Sequence, residues 1–509
     1  MFSYLHDNAI VNINKIIKNP GILFFETGLA LVFKLIPIKY LKQLGISTFC
    51  YIEDKSLTIK ANHIYYIINN DGKICRLICK YIENNKNSIH HIIFISQANL
   101  TCQRIFEYHG LWQYIKIYQL HIDTIPFEED ILLIQDRSLA TIQKHLGSFP
   151  IIQGIGINAQ TIVENLDRQD SVVSAKIGRL IIIDRECDPI TPLLSQTSYA
   201  GILDDIYHFD RDIITIEEKK YILNNDDTFY KLLKDKPIEL ATKTIVEMVK
   251  EYNNFTINKK NGVGKQKLLE SAKNFVPKEY LDKHFTIIEN VIKIMKTNKY
   301  QSYLSMEQQI MIGDIRDINS ILLYQPACSL IEILRLLCLF CIVNDGITQN
   351  ELELIRRTTI LQYQEIFIVD NLVERRLLFT KNGQSWNKIV EKFNLFPHDY
   401  VPLLCRLVEN ALICDSEKIY HRKKGILYRG FCDVKTDKKM RLISNDVFTL
   451  SQETSVNNGI ILVYIIGGIT RDEIAILRAL SKEIIIASNK IINNSTIIDN
   501  CQNGVDISI

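Results

Sequence analysis

The stretch 180–207 constrains the fold more than any other part of the sequence. It opens with four consecutive aliphatic residues, 180–183. A short apolar run without polar alternation is typical of a strand buried on both faces of a parallel sheet. The run ends at Asp184 and Arg185, and Asp188 lies in the same turn. We therefore predict a buried strand that leads into a charged turn.

Proline residues determine the structure after this turn. Pro189 and Pro192 exclude a continuous helix through it, because proline lacks an amide proton and restricts the residue before it. Thr191 next to Pro192 is typical of an N-cap and a first helical residue. The pattern predicts a helix from Pro192 to about His208.

Two interpretations of the charged turn compete. Asp184, Arg185 and Asp188 lie just after the carboxyl end of a strand, where open α/β sheets bind ligands, and two carboxylates there suit a catalytic acid pair. Alternatively, the arginine is shared between carboxylates and the ion pairs pin the turn. We favour the ion pairs, because no nucleophile, metal-ligand set or phosphate loop accompanies the turn.

Length and composition limit the class of protein. The chain has 509 residues, enough for several domains, and its net charge of +2 argues against a strongly electrostatic nucleic-acid binder. No apolar run is long enough for a transmembrane helix, and the N-terminal residues lack the continuous apolar core of a signal peptide. We expect a cytoplasmic protein with no nucleic-acid partner, whose membrane contact comes through other proteins.

The 12 cysteines give no strong metal or redox signal. Cys338 and Cys341 have the spacing of a zinc or redox pair, but they lie in an apolar helical run without a second pair. We favour buried core thiols. No metal and no cofactor are expected.

Residues 1–124 are predicted to form an N-terminal α/β domain. Short apolar runs at 22–25, 64–68 and 92–95 are typical of strands, and 73–82 between them carries helical spacing. Strands that alternate with helices indicate a small doubly wound parallel sheet.

A second α/β domain is predicted to be discontinuous, over 125–210 and 441–509. It includes the charged turn and the strand 460–466, and the strand 484–487 comes after a helix. These last two strands and the helix between them form a β-α-β unit.

The helix of that unit has a clear beginning. Thr470 and Glu473 have the spacing of a capping box. Gly467 and Gly468 just before it suit either a phosphate cradle at a helix N-terminus or a tight strand-to-helix turn. We favour the turn, because no Walker or dinucleotide frame surrounds the glycines.

The remaining segment, 211–440, is predicted to be a mostly helical domain. Helical apolar spacing covers 238–253, 278–297, 327–343, 348–361 and 401–411. The polar stretch 258–266 is predicted to be an exposed loop or a mobile hairpin tip, and the polar stretch 433–439 is predicted to be an exposed linker.

A further glycine motif lies upstream of the charged turn. Gly154, Gly156 and Ala159 match a permissive dinucleotide fingerprint, but Pro150 interrupts the strand before it. We favour a turn ahead of a helix at 159–166.

Two motifs carry a family resemblance. The pattern Asp-Arg-x-x-Asp-x-x-Thr-Pro-Leu-Leu-x-Gln, with Tyr-x-Gly-x-x-Asp-Asp after it, resembles the signature of the SM (Sec/Munc) family of SNARE chaperones. Within the family, the pattern resembles that of the vacuolar protein sorting-associated protein 33 branch. The Gly-Gly-x-Thr turn before Glu-Ile-Ala resembles the C-terminal signature of the family. The signature positions are Asp184, Arg185, Asp188, Thr191, Pro192, Gly201, Gly467, Gly468, Thr470 and Glu473.

The resemblance implies a fold and a function. The fold is a three-domain arch, with two doubly wound parallel-sheet domains and a mostly helical domain that templates SNARE helices. The function is non-catalytic SNARE assembly during vesicle docking and fusion on the endosome-to-vacuole or lysosome route, peripheral to those membranes.

The branch also implies partners besides SNAREs. These are the class C subunits of the HOPS and CORVET tethers, notably the protein sorting-associated protein 16 subunit. Tyr400, Pro402 and Leu403 resemble the Tyr-x-Pro-Leu stretch of the branch, and we expect them to contribute to that docking surface. The alternative is an ordinary amphipathic helix start.

Two other functions remain open on the sequence. One is a nucleotide-dependent enzyme built on the charged turn and the glycine turns, which rests on fold analogy alone. The other is a tether subunit that has lost SNARE binding. The polar stretch 258–266 and the departures from the family pattern at 231–236 keep this second alternative open.

Overall fold

The computed structural model describes residues 2–52, 61–95, 99–135, 138–147, 149–166, 176–209, 212–260, 276–323, 328–363, 368–375, 377–380, 402–413, 447–451 and 459–498. These residues group into two compact units, of which the first ends at Gly147 and the second takes up the rest. The three domain boundaries expected from the sequence stay a prediction.

Helices make up about half of the described chain. They are α1 (Phe2–Ile16), α2 (Ile38–Gln43), α3 (Gly72–Asn84), α4 (Leu100–Tyr108), α5 (Ser138–Leu146), α6 (Ile157–Glu164), α7 (Tyr199–Tyr207), α8 (Thr228–Leu233), α9 (Ile238–Lys260), α10 (Lys278–Met295), α11 (Asn298–Met311), α12 (Ile318–Leu322), α13 (Leu330–Val343), α14 (Gln349–Tyr363), α15 (Ile368–Glu374), α16 (Leu403–Ile413) and α17 (Arg471–Leu480).

The strands are short and mostly buried. They are β1 (Gly21–Phe25), β2 (Ile46–Tyr51), β3 (His63–Ile68), β4 (Ile89–Phe94), β5 (Ile115–Gln119), β6 (Thr124–Glu128), β7 (Ile131–Ile134), β8 (Ile151–Ile155), β9 (Ile177–Asp184), β10 (Ile213–Ile216), β11 (Lys219–Ile222), β12 (Val447–Ser451), β13 (Ile460–Ile466) and β14 (Ile484–Ser488).

The first unit contains a five-stranded parallel sheet in the order β2-β1-β3-β4-β5. This is a doubly wound sheet, and its strand order reverses between β1 and β3. Separate apolar clusters bury its two faces, which explains why the central strands are hydrophobic without alternation. Strands β6 and β7 form an antiparallel hairpin.

In the second unit, β8, β9, β13 and β14 are parallel neighbours, and β12 pairs antiparallel with β8. The helices α8–α16 lie between β11 and β12 in the sequence and form the mostly helical part of this unit. The predicted class, parallel-sheet α/β structure with a large helical insertion, is confirmed.

The prediction of a helix from Pro192 to about His208 was wrong for its first half, which is not α-helical. Residues Thr191–Leu193 form a single 3-10 turn, and α7 begins only at Tyr199 with Ser198 as its N-cap. Hydrogen bonds to carboxylates hold the segment between them in an irregular conformation.

The first helix of the helical region is longer than predicted. It was expected to end at Asn253, but α9 continues to Lys260 through the start of the polar stretch 258–266. The rest of that stretch, and the predicted linker 433–439, lie outside the described residues.

The hairpin between β10 and β11 has a strained turn. Its two turn residues, Glu217 and Glu218, have φ angles of 47° and 66°. Such two-residue turns favour asparagine and glycine, because most other side chains are strained in the left-handed region.

We expect the double substitution Glu217→Asn and Glu218→Gly to stabilise the protein by roughly 1 kcal/mol, because it relieves that strain. Thermal unfolding of purified protein would show a higher melting temperature. The control Glu218→Ala removes a charge but keeps Cβ, and it should give no such gain. An equal gain in the control would contradict the strain explanation.

A histidine pair lies in the sheet of the first unit. His91 is 3% exposed, its Nε2 is 3.0 Å from Nδ1 of His63, and its ring stacks on Tyr65. Burial, together with the nearby charges of His63, Lys116 and His90, lowers the pKa of His91 to about 4. The folded unit therefore holds this imidazole neutral.

The unfolded chain takes up a proton at His91 near its ordinary pKa of 6.5, whereas the folded chain does so only near 4. We expect full stability above pH 6.5 and a loss of about 3 kcal/mol as the pH falls to 4. Hydrogen exchange of β3–β5 between pH 7 and 4 would measure it. The variant His91→Phe should flatten the dependence, and exposed His121→Asn should not. A similar acid loss in His91→Phe would refute the assignment.

Candidate functional site

The site begins where β9 meets β13. Asp184 pairs with Ile466 in the parallel register, so Arg185 lies directly beside the glycine turn. A Cβ on Gly467 would be 2.9 Å from Cβ of Arg185, and one on Gly468 would be 2.6 Å from a methyl carbon of Ile492. Both glycines have positive φ. Close approach of the chain and the turn itself therefore require glycine here, without a phosphate.

Arg185 makes a two-pronged ion pair with Glu473. Its Nη1 donates to Oε2 and its Nη2 to Oε1, both at 2.8 Å. Asp188 lies 3.4 Å away, and all three side chains are at most 3% exposed. Charge-assisted bonds of this fork geometry are strong and directional. The ion pair therefore joins the end of β9 to the start of α17.

Glu473 has a second task in its own helix. Its Oε2 accepts a hydrogen bond from the amide of Thr470, whose hydroxyl accepts one from the amide of Glu473. The predicted capping box is thus confirmed. One carboxylate both caps α17 and neutralises the buried arginine.

Asp188 organises the chain on its other side. Its carboxylate accepts bonds from the amide and the hydroxyl of Thr191, at 3.0 and 2.5 Å. It also accepts from the amide of Leu404 at 3.3 Å, in the first turn of α16. Pro192 is buried in the 3-10 turn that this carboxylate fixes. A helix from the far end of the helical region is therefore anchored at the charged turn.

Four consecutive amides, 195–198, each donate to a carboxylate. The acceptor is Glu307 for the first, Asp205 for the second and Asp472 for the last two, at 2.6–3.0 Å. Four successive amides bonded to side chains cannot also donate to the carbonyls four residues earlier, as the interior of a helix requires. This explains why the helix predicted from Pro192 does not form there.

Gly201 lies where α7 passes close to α17. A Cβ there would be 2.6 Å from Oδ1 of Asp472 and 2.7 Å from Cβ of Gln196. Arg471 pairs with Asp204 at 2.7 Å, and Arg478 pairs with Asp235 at 2.9 Å. The polar residues of α17 therefore fasten it to α7 and to the beginning of the helical region.

The space beside the glycine motif at the end of β8 is occupied by a side chain of the protein, that of Asp184. Oδ2 of Asp184 accepts a bond from the amide of Asn158 in the first turn of α6. A Cβ on Gly156, where φ is +111°, would be 1.9 Å from that oxygen. A phosphate at a helix N-terminus would take this position. Because the carboxylate of Asp184 occupies the position that a phosphate would take, the structure does not support dinucleotide binding at this motif.

The switch point of the first unit is bridged in a similar way. Glu26 lies just after β1, and its Oε2 accepts a bond of 2.8 Å from the amide of Asn69, which lies just after β3. Burial raises the pKa of Glu26. Within the described ranges, no group of three or more His, Cys, Asp or Glu residues is arranged to hold a metal ion.

A buried acid–imidazole–hydroxyl series was missed by sequence reasoning. Tyr199 and His284 are 2.7 Å apart, and His284 is 3.0 Å from Asp227. This order is that of a catalytic triad. However, Tyr199 is 0% exposed and burial raises its pKa, so no substrate reaches the hydroxyl. Only the position of His284 on a predicted helix was visible in the sequence.

The series is a structural core of the helical region. Asp227 also caps α8 through the amides of Phe229 and Tyr230. Burial would raise the pKa of Asp227, but hydrogen bonds from His284 and Lys283 outweigh it and hold the pKa below its usual value. Burial lowers the pKa of His284.

The residues proposed for tether docking are mostly inside the protein. Pro402 is buried and Leu403 is 9% exposed, while Tyr400 lies outside the described residues. Their part in docking stays a prediction, and the two described side chains offer little surface to a partner.

The cysteine pair in α13 is buried. Cys338 and Cys341 are both 0% exposed, and Sγ of Cys341 exchanges hydrogen bonds with the backbone of Phe379. Burial raises the pKa of Cys341 to about 12. A thiol held protonated in this way is a poor nucleophile and a poor metal ligand.

None of the helices in the described parts of the chain has both the length and the apolar character needed to cross a bilayer.

The model of the Sec1 family matches residues 26–500. The chain therefore belongs to the Sec1 family, whose members are the SM proteins, which confirms the resemblance seen in the sequence. Proteins of this family bind SNAREs without catalysis, so the charged turn belongs to a binding protein and not to an enzyme.

Two similar proteins are named for vacuolar protein sorting. The vacuolar protein-sorting-associated protein 33 homolog of Arabidopsis thaliana is 23% identical, over 97% of this chain and 95% of the relative. Vacuolar protein sorting-associated protein 33A of Rattus norvegicus is 25% identical, over 80% of each chain.

Solved structures share the fold. The Unc18–syntaxin 1 complex from Monosiga brevicollis has a TM-score of 0.59 at 14% identity, over 98% of this chain and 99% of that one. The SM protein Vps45 in complex with the Qa SNARE Tlg2 has a TM-score of 0.58 at 15% identity, over 99% and 100%.

We expect Glu473→Gln to destabilise the protein by about 3–5 kcal/mol, because it removes the two-pronged partner of the buried Arg185 and leaves only Asp188, 3.4 Å away, as a counter-charge. Urea unfolding would measure the loss. Removing both charges, as Arg185→Met with Glu473→Leu, should recover much of it.

The control for this prediction is an exposed ion pair. Glu353 lies 3.7 Å from Arg357 and both are more than half exposed. Glu353→Gln should therefore change the unfolding free energy by less than about 0.5 kcal/mol. A loss at Glu473 no larger than this control would refute the bracing role.

Proposed function

We propose that the chain is an SM-type SNARE chaperone on the endosome-to-vacuole or lysosome route. Family membership over residues 26–500 and relatives named for vacuolar protein sorting support this route. The observation that carries the proposal is a pair of long helices, α9 and α10, joined to α17 by the ion pair of Arg478 with Asp235, which lies just before α9.

The helix pair offers a surface of suitable length. Helix α9 has 23 residues, which corresponds to roughly 35 Å. Its inner face packs through Ile238, Ala241 and Ile245, and it leaves Leu240 and Val246 exposed by 49% and 37%. For a lone SNARE segment, nucleation of the helix is unfavourable, and ordering the chain costs much conformational entropy. A preformed helical surface removes part of that cost before SNARE helices pair.

We also propose that the chain works within a class C tether and docks on the vacuolar protein sorting-associated protein 16 subunit. Its place is then peripheral on endosomal or vacuolar membranes. This part rests on the branch resemblance and on the names of the relatives. Co-purification with tether subunits, scored separately from SNARE capture, tests it.

We expect Leu240→Glu with Val246→Glu to weaken capture of a Qa SNARE cytoplasmic domain from the same route by at least tenfold, because charges replace exposed aliphatic contacts. Binding of the purified full chain would be measured by pull-down and calorimetry. The matched control is Leu323→Glu with Leu354→Glu, which alters leucines that are 80% and 37% exposed elsewhere in the second unit.

The outcomes separate the alternatives. Equal loss in both double variants would contradict a surface on α9. Tether co-purification without any SNARE capture by the unmodified chain would favour a tether subunit that has lost SNARE binding. A rise in melting temperature with ATP, GTP or NAD would contradict the non-catalytic assignment, because a ligand that binds the folded state stabilises it.

A further inference from the structure

The first unit carries an unusual charged surface on α1. The inner face of this helix packs Ala9, Ile13 and Ile16 into the core. The outer face presents Val11 and Lys15, and the same stripe continues to Lys18 just beyond the helix. Val11 is 52% exposed and both lysines are exposed.

Helix α2 adds a second pair of lysines beside the first. Leu41 is 0% exposed and points inward, whereas Ile38 is 42% exposed and Lys39 and Lys42 are exposed. The hydroxyl of Tyr40 donates to Asn14 at 2.8 Å, which places α2 against the end of α1. We call the six exposed residues the lysine face: Val11, Lys15, Lys18, Ile38, Lys39 and Lys42.

The charge of this surface is not compensated locally. Residues 8–52 contain five lysines, no arginine and one acid, Glu26, which is bonded to the amide of Asn69. Lys34 donates to the carbonyl of Phe127. Across the described contacts, the four lysines of the lysine face form neither an ion pair nor a side-chain hydrogen bond. Asp7 lies on α1 about 12 Å from Lys15 along the axis.

The chemistry of the lysine face favours a diffuse anionic partner. Lysine is a flexible point charge, whereas stereospecific recognition of carboxylate or phosphate groups favours the arginine fork. The surface is the outside of two helices, and exposed aliphatic residues lie among the lysines. Lysines mixed with aliphatic side chains suit the interface of an anionic membrane.

We infer that the lysine face binds the anionic headgroups of a membrane surface directly. This contact adds to the partner-mediated attachment expected from the family and does not depend on SNARE binding. It would correct the expectation that membrane contact comes only through partners.

The test uses the purified full chain and vesicles. We expect sedimentation with phosphatidylcholine vesicles that contain phosphatidylserine, no sedimentation with phosphatidylcholine alone, and loss of binding at high salt. Each lysine near an anionic leaflet raises the membrane partition coefficient roughly fivefold. Changing four lysines to glutamine should therefore lower the partition coefficient at least a hundredfold, in the variant Lys15→Gln, Lys18→Gln, Lys39→Gln and Lys42→Gln.

A matched control removes the same charge elsewhere. Four exposed lysines on α9 and α10, or just after α10, are changed to glutamine, and vesicle binding should stay within about twofold. These are Lys243, Lys250, Lys293 and Lys296.

Three results would overturn the inference. The first is no binding to anionic vesicles, and the second is equal loss in both quadruple variants. The third is binding of a polyglutamate peptide, but not of vesicles, that depends on the lysine face, which would assign it to an acidic protein. SNARE capture by the variant should be unchanged. Failure of vesicle binding therefore leaves the proposed SNARE function standing, and failure of SNARE capture leaves this inference standing.

Discussion

The buried pair of Arg185 and Glu473 is the interaction on which the second unit depends. Two parallel charge-assisted bonds join the end of β9 to the first turn of α17, and Asp188 extends the network to α16. Burying an arginine is costly unless its charge and its donors are matched. The geometry meets that requirement with a carboxylate that is itself fixed by the helix it caps.

This arrangement explains why a site that looks catalytic belongs to a binding protein. The carboxyl ends of parallel strands are where α/β proteins usually hold ligands. Here Asp184 fills the start of α6, Glu473 neutralises Arg185, and Glu26 bridges the switch point of the first unit. The chain uses these positions to fix its own elements. Both surfaces proposed for partners, on α9 and in the lysine face, are outer faces of helices in the described part of the chain.

Local patterns in the sequence predicted local structure well. The capping box of Thr470 and Glu473 depends on a three-residue spacing, and the buried strands 180–183 and 460–466 have a clear composition, so both were found. The family motifs were also sufficient to predict the fold class. The sequence did not reveal contacts between residues that are far apart in the chain. The partner of Arg185 lies 288 residues away, and nothing in the local sequence marks it.

The errors have the same cause. The helix predicted from Pro192 fails because its amides are taken by Glu307 and Asp472, which are distant in the sequence. The series of Asp227, His284 and Tyr199 spans separate helices, so no spacing rule reveals it. The docking role expected of Pro402 and Leu403 stays a prediction, and the burial of both side chains was not visible in their motif.

The position of β9 has a consequence for folding during synthesis of the protein on the ribosome. Its partner β13 is translated only after the whole helical insertion. Glu473 follows Arg185 by 288 residues, so at roughly 5–20 residues per second it is added roughly 15 to 60 s later. During that time an aliphatic strand has an open edge on the ribosome, where it is prone to aggregate. We therefore expect chaperones to protect the nascent chain until β13 emerges.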